Sequence, residues 1–282
     1  MPAQAEKAAR FVALHQRPAP FVVGNPWDAG TARILTALGF AALSTTSAGL
    51  AFTLGRRDGT ASVSRAEALA NARSIAEATP LPVAADLENG YGHRPEEAAE
   101  TIRLAADMAG LVGGSIEDAT GDPAHPIYEF NHAVERVAAA AAAAHALPFP
   151  FVFVGRAENY LHGRPDLDDT IRRLQAYEVA GADVLYAPGI TSPGDIRTVC
   201  SSVSKPVNLL MGIRGAPRLS LSELGALGVR RVSIGSGFAR AALTAFVTAA
   251  REVQEQGTFA FTEDALSLSE IAALFPLKLA LG

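Results

Sequence analysis

The sequence predicts a closed (β/α)8 TIM barrel, and three observations carry that reading. First, eight short apolar runs occur along the 282 residues: Phe21–Gly24, Ala41–Ser44, Val83–Asp86, Leu111–Ile116, Phe151–Gly155, Val184–Tyr186, Val207–Leu210 and Arg231–Ile234. Each is rich in Val, Leu, Ile or Phe without clear polar alternation, the pattern of strands buried on both faces of a parallel sheet. Second, segments with helical start and stop signals separate the runs. Third, Ala37-Leu-Gly-Phe40, Val179-Ala-Gly-Ala182 and Ala226-Leu-Gly-Val229 each read as a helix end, a glycine cap and a strand start. An open doubly wound sheet is the alternative topology. It usually carries a Gly-rich phosphate turn after its first strand, where this chain has Gly24-Asn-Pro-Trp-Asp28. No linker interrupts residues 1–282, which read as one domain.

The helical segments follow in order. Ala8, Phe11, Val12 and Leu14 space a short amphipathic N-terminal helix. Thr31–Leu38 stops at Gly39. Ser62 or Ser64 caps a helix running to Ala78, before Pro80 and Pro82. Pro95 suits a first helical turn, with Glu96, Glu97 and Glu100 near the positive helix end. The Ala-rich tract Val137–Ala146 reads as a soluble helix. Asp166–Asp169 opens a segment ending at Gly181, and Ser220 or Ser222 opens one ending near Gly228. Residues 238–256 and 262–275 predict two further helices separated by Gly257. They exceed what a barrel needs, so residues 238–282 are expected at a subunit interface.

Composition excludes several classes. Lys plus Arg is 24 and Asp plus Glu is 29, a net charge of −5, with 49% hydrophobic and 19% charged residues. Such a chain is too apolar for disorder. Its acidity argues against a nucleic-acid partner. One cysteine, Cys200, excludes an internal disulfide or a multi-Cys zinc site. No signal-peptide pattern and no run of about 18 apolar residues occurs, so neither secretion nor a membrane partner is expected. A cytoplasmic location is the expectation.

In a barrel the chemistry gathers after the strands. Those positions hold Asn25, Trp27 and Asp28; Thr45, Thr46 and Ser47; Asp86, Glu88 and Asn89; Glu117 and Asp118; Arg156, Glu158 and Asn159; Asn208; and Ser236. Asp86, Glu88 and Glu117 would repel one another at one mouth unless a cation sits among them. Hard oxygen ligands suit Mg²⁺ or Mn²⁺. Trp27 either walls the pocket or fills it. His125, in a polar loop with Gly121, Pro123 and Pro126, is a candidate proton donor.

These segments resemble the isocitrate lyase/phosphoenolpyruvate mutase superfamily. The matching phrases are Pro26-Trp-Asp28-Ala29, Thr46-Ser-Ala-Gly49, Leu54-Gly-Arg-Arg-Asp58, Asp86-Leu-Glu-Asn-Gly-Tyr-Gly92, Ile116-Glu-Asp118 and Gly155-Arg-Ala-Glu-Asn159. The resemblance implies a barrel, often with the terminal helix exchanged between subunits of a homodimer or homotetramer. It implies small 2-oxo or dicarboxylic acid ligands bound on Mg²⁺. By motif position Asp86 binds the metal, with Asp58, Glu88 and Glu117 holding it or its waters. Thr46, Ser47 and Ala48 match the segment that holds a substrate carboxylate or phosphonyl group, and Arg156 is expected to clamp a carboxylate. Asn208 joins the substrate-binding set, and Asp58, Arg156 and His125 the catalytic one.

One departure decides the expected reaction. The lyases of this superfamily carry Lys-x-Cys-Gly-His after the Glu117 position; here Asp118–Tyr128 holds neither Lys nor Cys. The Lys of the mutase and phosphonopyruvate hydrolase branches is missing as well. Loss of CO₂ from the carbon beside a 2-oxo group leaves an enolate, stabilised by the metal and Arg156, and needs no protein nucleophile. The expectation is therefore an enzyme that binds a small 2-oxo acid, oxaloacetate or 2-oxoglutarate-like (α-ketoglutarate), as a C–C lyase or decarboxylase, by decarboxylation of oxaloacetate or retro-aldol cleavage of a related 2-hydroxy acid. The alternatives are a C–P mutase or hydrolase and a non-catalytic 2-oxo acid binder. Arg56, Arg57, Arg156 and Arg214 are the cations offered for a distal carboxylate.

Overall fold

The computed structural model describes residues 2–275. Residues 276–282, the end of the expected C-terminal interface segment, lie outside the described residues. Eight parallel strands close in sequence order: β1 (Phe21–Gly24), β2 (Ala42–Ser44), β3 (Val83–Asp86), β4 (Gly113–Glu117), β5 (Val152–Arg156), β6 (Val184–Tyr186), β7 (Val207–Leu210) and β8 (Arg231–Ser233). Closure is made by β8 on β1, with Arg231 opposite Phe21 and Ser233 opposite Val23. All eight apolar runs are strands, because a strand covered on both faces needs continuous apolar sequence.

Two buried layers follow from strand alternation. Outward residues such as Val83, Phe153, Leu185, Leu209 and Val232 join the helices in the outer core. Inward residues such as Val23, Ala84, Val154 and Val184 fill the barrel with help from α1 (Gln4–His15). Phe11 of α1 is fully buried against the strand starts. Gly113 makes room for it, since a Cβ there would lie 2.8 Å from the Phe11 ring. The N-terminal helix therefore plugs one end of the barrel and leaves the other for chemistry.

The remaining helices are α2 (Ala29–Ala37), α3 (Ser47–Thr53), α4 (Arg65–Glu77), α5 (Pro95–Ala109), α6 (Phe130–His145), α7 (Leu167–Val179), α8 (Pro193–Ser201), α9 (Leu221–Ala226), α10 (Gly237–Gln256) and α11 (Leu268–Ala273). The cap alternatives resolve to Ser64, which accepts from Glu67 N at 3.3 Å, and Ser220, which accepts from Glu223 N at 3.3 Å. Asp166 caps α7 through Asp169 N at 2.9 Å. Two features differ from expectation. Ser47–Thr53 is helical, capped by Thr46. The helix expected at 262–275 is a 3₁₀ turn at Ala260–Glu263 followed by the shorter α11, because Ser267 starts a new cap with Glu270. Among the described residues, no helix is long and apolar enough to cross a membrane.

Candidate active site

The C-terminal strand ends bring Asp86, Glu117 and Arg156 onto three adjacent strands, with Glu117 directly opposite Arg156. Arg156 Nη1 donates to Asp86 Oδ1 at 2.6 Å. Its Nη2 lies 3.1 Å from Glu117 Oε2. Nε and Nη2 donate to Glu158 Oε1 at 3.1 and 2.9 Å. The sequence argument required a cation among the acids, and the chain supplies one itself. Arg156 is therefore not the free carboxylate clamp that was expected. A guanidinium has five N–H donors and these contacts use four, so one Nη1 hydrogen remains for a ligand.

Burial works against the charge of Arg156, but Glu158, Asp86 and Glu117 hold it protonated more firmly than an ordinary arginine. Burial likewise pushes Glu117 well above the usual carboxylate range, against the pull of Arg156. Glu88 is pushed up to about 7 by burial and then by the charges of Asp86 and Asp58. Asp58 keeps much of its surface in solvent, yet partial burial of its carboxyl and the charge of Asp86 push it up too. The charge of Arg156 opposes both shifts without cancelling them.

The segment after β3 owes its shape to three left-handed residues, Glu88 (φ 47°), Gly90 (φ 81°) and Tyr91 (φ 57°). Such backbone is held only by surrounding bonds. Glu117 N donates to Glu88 O at 2.9 Å, Gly90 N to Leu87 O at 2.8 Å, and Thr101 Oγ1 to Gly90 O at 2.7 Å. Arg136, buried behind the loop, donates to Asn89 O. Gly90 is required twice over, since a Cβ would also meet Ala98 Cα at 3.0 Å.

Ser47, at the start of α3, donates from Oγ to Asp86 Oδ2 at 2.9 Å. Thr46, Ser47 and Ala48 line a deep chamber of about 200 Å³ together with Asp58, Asp86 and Asn208. An outer cavity of about 740 Å³ shares Ser47, Asp58 and Arg156 with it and adds Glu88, Tyr91 and Glu117. Two expected residues stay outside both. Trp27 packs its Cβ against Gly49 and accepts from Asn71 at its carbonyl. His125 is exposed at a loop tip beside Asp122, 3.3 Å away. The loop is pinned at its base by an Ala119–Ile127 bridge. Sequence reasoning listed Glu158 as a strand-end residue without giving it a role; it sits two residues past Arg156 and accepts from that guanidinium. Asp118, next to Glu117, serves structure: it accepts from Tyr177 Oη at 2.6 Å, Glu158 N at 2.8 Å and Arg173 Nη1 at 3.0 Å.

Among the described residues, no three acids, histidines or cysteines converge as direct ligands of one metal ion. An all-protein cage is thus not what the acids form. The hard oxygens of Asp58, Asp86, Glu88 and Glu117 do fit a hydrated Mg²⁺, which keeps several waters and takes one or two carboxylates. Asp86 would hold it directly, and Asp58, Glu88 and Glu117 through water.

Residues 11–254 match the family described as phosphoenolpyruvate phosphomutase. An uncharacterised Mycobacterium tuberculosis (strain CDC 1551 / Oshkosh) protein is 34% identical over 253 residues, covering 87% of this chain and 89% of its own. An oxaloacetate decarboxylase of Bradyrhizobium sp. (strain ORS 278) is 31% identical over 226 residues, with coverages of 75% and 71%. A Burkholderia cenocepacia J2315 crystal structure, provisionally assigned as a lyase or mutase, shares 57% identity and a TM-score of 0.93 over 96% of each chain. The structure of 2,3-dimethylmalate lyase shares 26% identity and a TM-score of 0.84, covering 98% of this chain and 96% of its own. Phosphonopyruvate hydrolase in complex with oxalate and Mg²⁺, at 24% identity and a TM-score of 0.81 over 95% and 94% of the chains, shares the fold. This chain belongs to the phosphoenolpyruvate phosphomutase family, within the isocitrate lyase/phosphoenolpyruvate mutase superfamily, and is an enzyme of that superfamily.

Proposed function

We propose that this protein is a Mg²⁺-dependent C–C lyase or decarboxylase for a small 2-oxo acid, with oxaloacetate first and 2-oxoglutarate-like acids second. The observation that carries the reading is Asp86, which lines the deep chamber and is held there by Arg156 and Ser47, two residues that line both cavities. Mg²⁺, or Mn²⁺ in its place, supplies Lewis acidity at the 2-oxo carbonyl when bound. The chain's own residues do the rest. Ser47 and Arg156 fix the Asp86 carboxylate in one orientation. The remaining Nη1 hydrogen of Arg156 donates to the substrate oxygen on which charge develops. Tyr91 lines the outer cavity, and burial holds its phenol well above its ordinary range, so it stays protonated. With His125 outside the cavity, water entering through the outer cavity delivers the proton to the product carbon.

A C–P mutase or hydrolase activity is the competing reading, and substrate parallels separate the two. Purified protein with Mg²⁺ is assayed on oxaloacetate, phosphonopyruvate and 2-methylisocitrate. Pyruvate from oxaloacetate well above the metal-only rate is the expected result. Phosphate or phosphoenolpyruvate from phosphonopyruvate, with oxaloacetate at background, contradicts it.

α10 buries only Ala239 and exposes Leu243, Phe246, Val247 and Val253. A second copy of the chain covers this face in a homodimer or homotetramer.

A further inference from the structure

The deep chamber has a floor that the proposed reaction does not use. Arg231 opens β8, alternates with outward Val232, and turns into the barrel, where it is 5% exposed. It lines the chamber that Asp86 and Ser47 close from above. Its Nε and Nη1 have no hydrogen-bond partner among the described residues. Among the described residues it makes no ion pair, and Tyr186 is the only group whose charge would favour it. Its guanidinium lies 5.7 Å from the centroid of the Phe11 ring. Burial pulls Arg231 down to about 10, so it remains a cation at neutral pH. His15, close enough to feel that charge, is kept neutral by burial.

A buried, unpaired guanidinium is costly unless an anion completes it. Asn208, opposite Arg231 on β7, is 2% exposed; its Nδ2 donates to Ser233 Oγ at 2.9 Å, and its unpartnered Oδ1 is an acceptor that suits a donor such as water, not the carboxylate. The chamber's volume of about 200 Å³ equals the liquid share of about seven waters at roughly 30 Å³ each. That is room for a few carbons and a carboxylate. The arginines that the sequence offered for this task are elsewhere: Arg56 is held by Glu67 at 2.8 Å and by Ser62 O, and Arg57 and Arg214 are exposed.

We propose that Arg231 binds the distal carboxylate of a dicarboxylic substrate whose 2-oxo end lies at Asp86 and Ser47. The inference rests on the 2-oxo acid reading above and adds what selects a diacid over a monoacid. A guanidinium matches a carboxylate as a fork, which an unpaired arginine at the end of a narrow chamber can exploit.

The test is calorimetric titration, with Mg²⁺ present, of 2-oxoglutarate and of 2-oxobutyrate, which has the same 2-oxo end and no distal carboxylate. The wild type is expected to bind the diacid at least about tenfold more tightly, a difference of about 1.4 kcal/mol. Arg231→Met is expected to erase that preference while changing 2-oxobutyrate affinity less than about twofold, and Arg231→Lys to restore part of it. Thermal melting checks folding: Arg231→Met should melt no lower than the wild type, because it removes an unpaired buried charge. No diacid preference in the wild type, or equal losses for both acids in Arg231→Met, overturns the proposal. So does chloride stabilising the wild type but not Arg231→Met with 2-oxoglutarate affinity unchanged, since that places an inorganic anion on the floor. If oxaloacetate is not turned over but the Arg231-dependent preference stands, the reaction assignment fails and this inference survives.

Discussion

Arg156 is the residue on which the mouth depends, because one buried guanidinium bridges three carboxylates. Its removal leaves Asp86, Glu117 and Glu158 facing one another without a cation. Arg156→Leu should lose about 3–5 kcal/mol in urea unfolding, the range for breaking a buried pair; a loss below about 1 kcal/mol would contradict the network. Cys200 is the opposite case. Burial pushes its thiol up to about 11, and it packs beside Gly228 rather than at either cavity. Cys200→Ser should keep full activity, and thiol reagents at pH 8 should label the native protein slowly. The acids Asp86, Glu88 and Glu117 were legible because chemistry-bearing types at consecutive strand ends recur in a motif. Arg231 was not. It follows Arg230 in Val-Arg-Arg-Val, and local sequence does not say which arginine turns inward; closure of β8 on β1 decides it. His125 had the right chemistry in a polar loop, but a bridge at the loop's base holds it away from the cavities.

At the scale of elements, α1 plugs the barrel and carries its own pH dependence. His15 lies edge-on to Phe11 and Phe21, and its Nδ1 donates to Phe11 O at 2.8 Å. Burial lowers its pKa from 6.5 to about 3, so between those values the unfolded chain binds a proton that the folded one does not. Stability is therefore fully present above about pH 6.5 and falls as pH drops toward 3, by up to about 1.4 kcal/mol per unit. His15→Phe should lack this component. Urea midpoints at pH 7.5 and 5.5 measure it, and identical pH responses in the two proteins would rule it out. The amphipathic spacing of Ala8, Phe11 and Leu14 showed the helix, but only the Gly113 gap shows that it enters the barrel. The strands were readable because both faces are apolar. α3 was not, since a seven-residue, largely apolar helix gives too few turns for a period to emerge.

The whole molecule is a barrel whose two ends have different tasks: α1 seals one, and the loops after the strands build the mouth at the other. The C-terminal helices belong to neither. If α10 meets a second copy, Phe246→Asp, at a residue 69% exposed in the single chain, should shift sedimentation toward monomer. An unchanged mass would remove the interface assignment. The central claim is metal-dependent 2-oxo acid chemistry at Asp86. It is tested most directly by the rate of pyruvate formation from oxaloacetate with Mg²⁺, wild type against Asp86→Asn. Turnover is expected well above the metal-only rate, abolished by chelation and lowered about 10²–10³-fold or more in the variant. Turnover that survives either change, or a wild type no faster than free Mg²⁺, would contradict it.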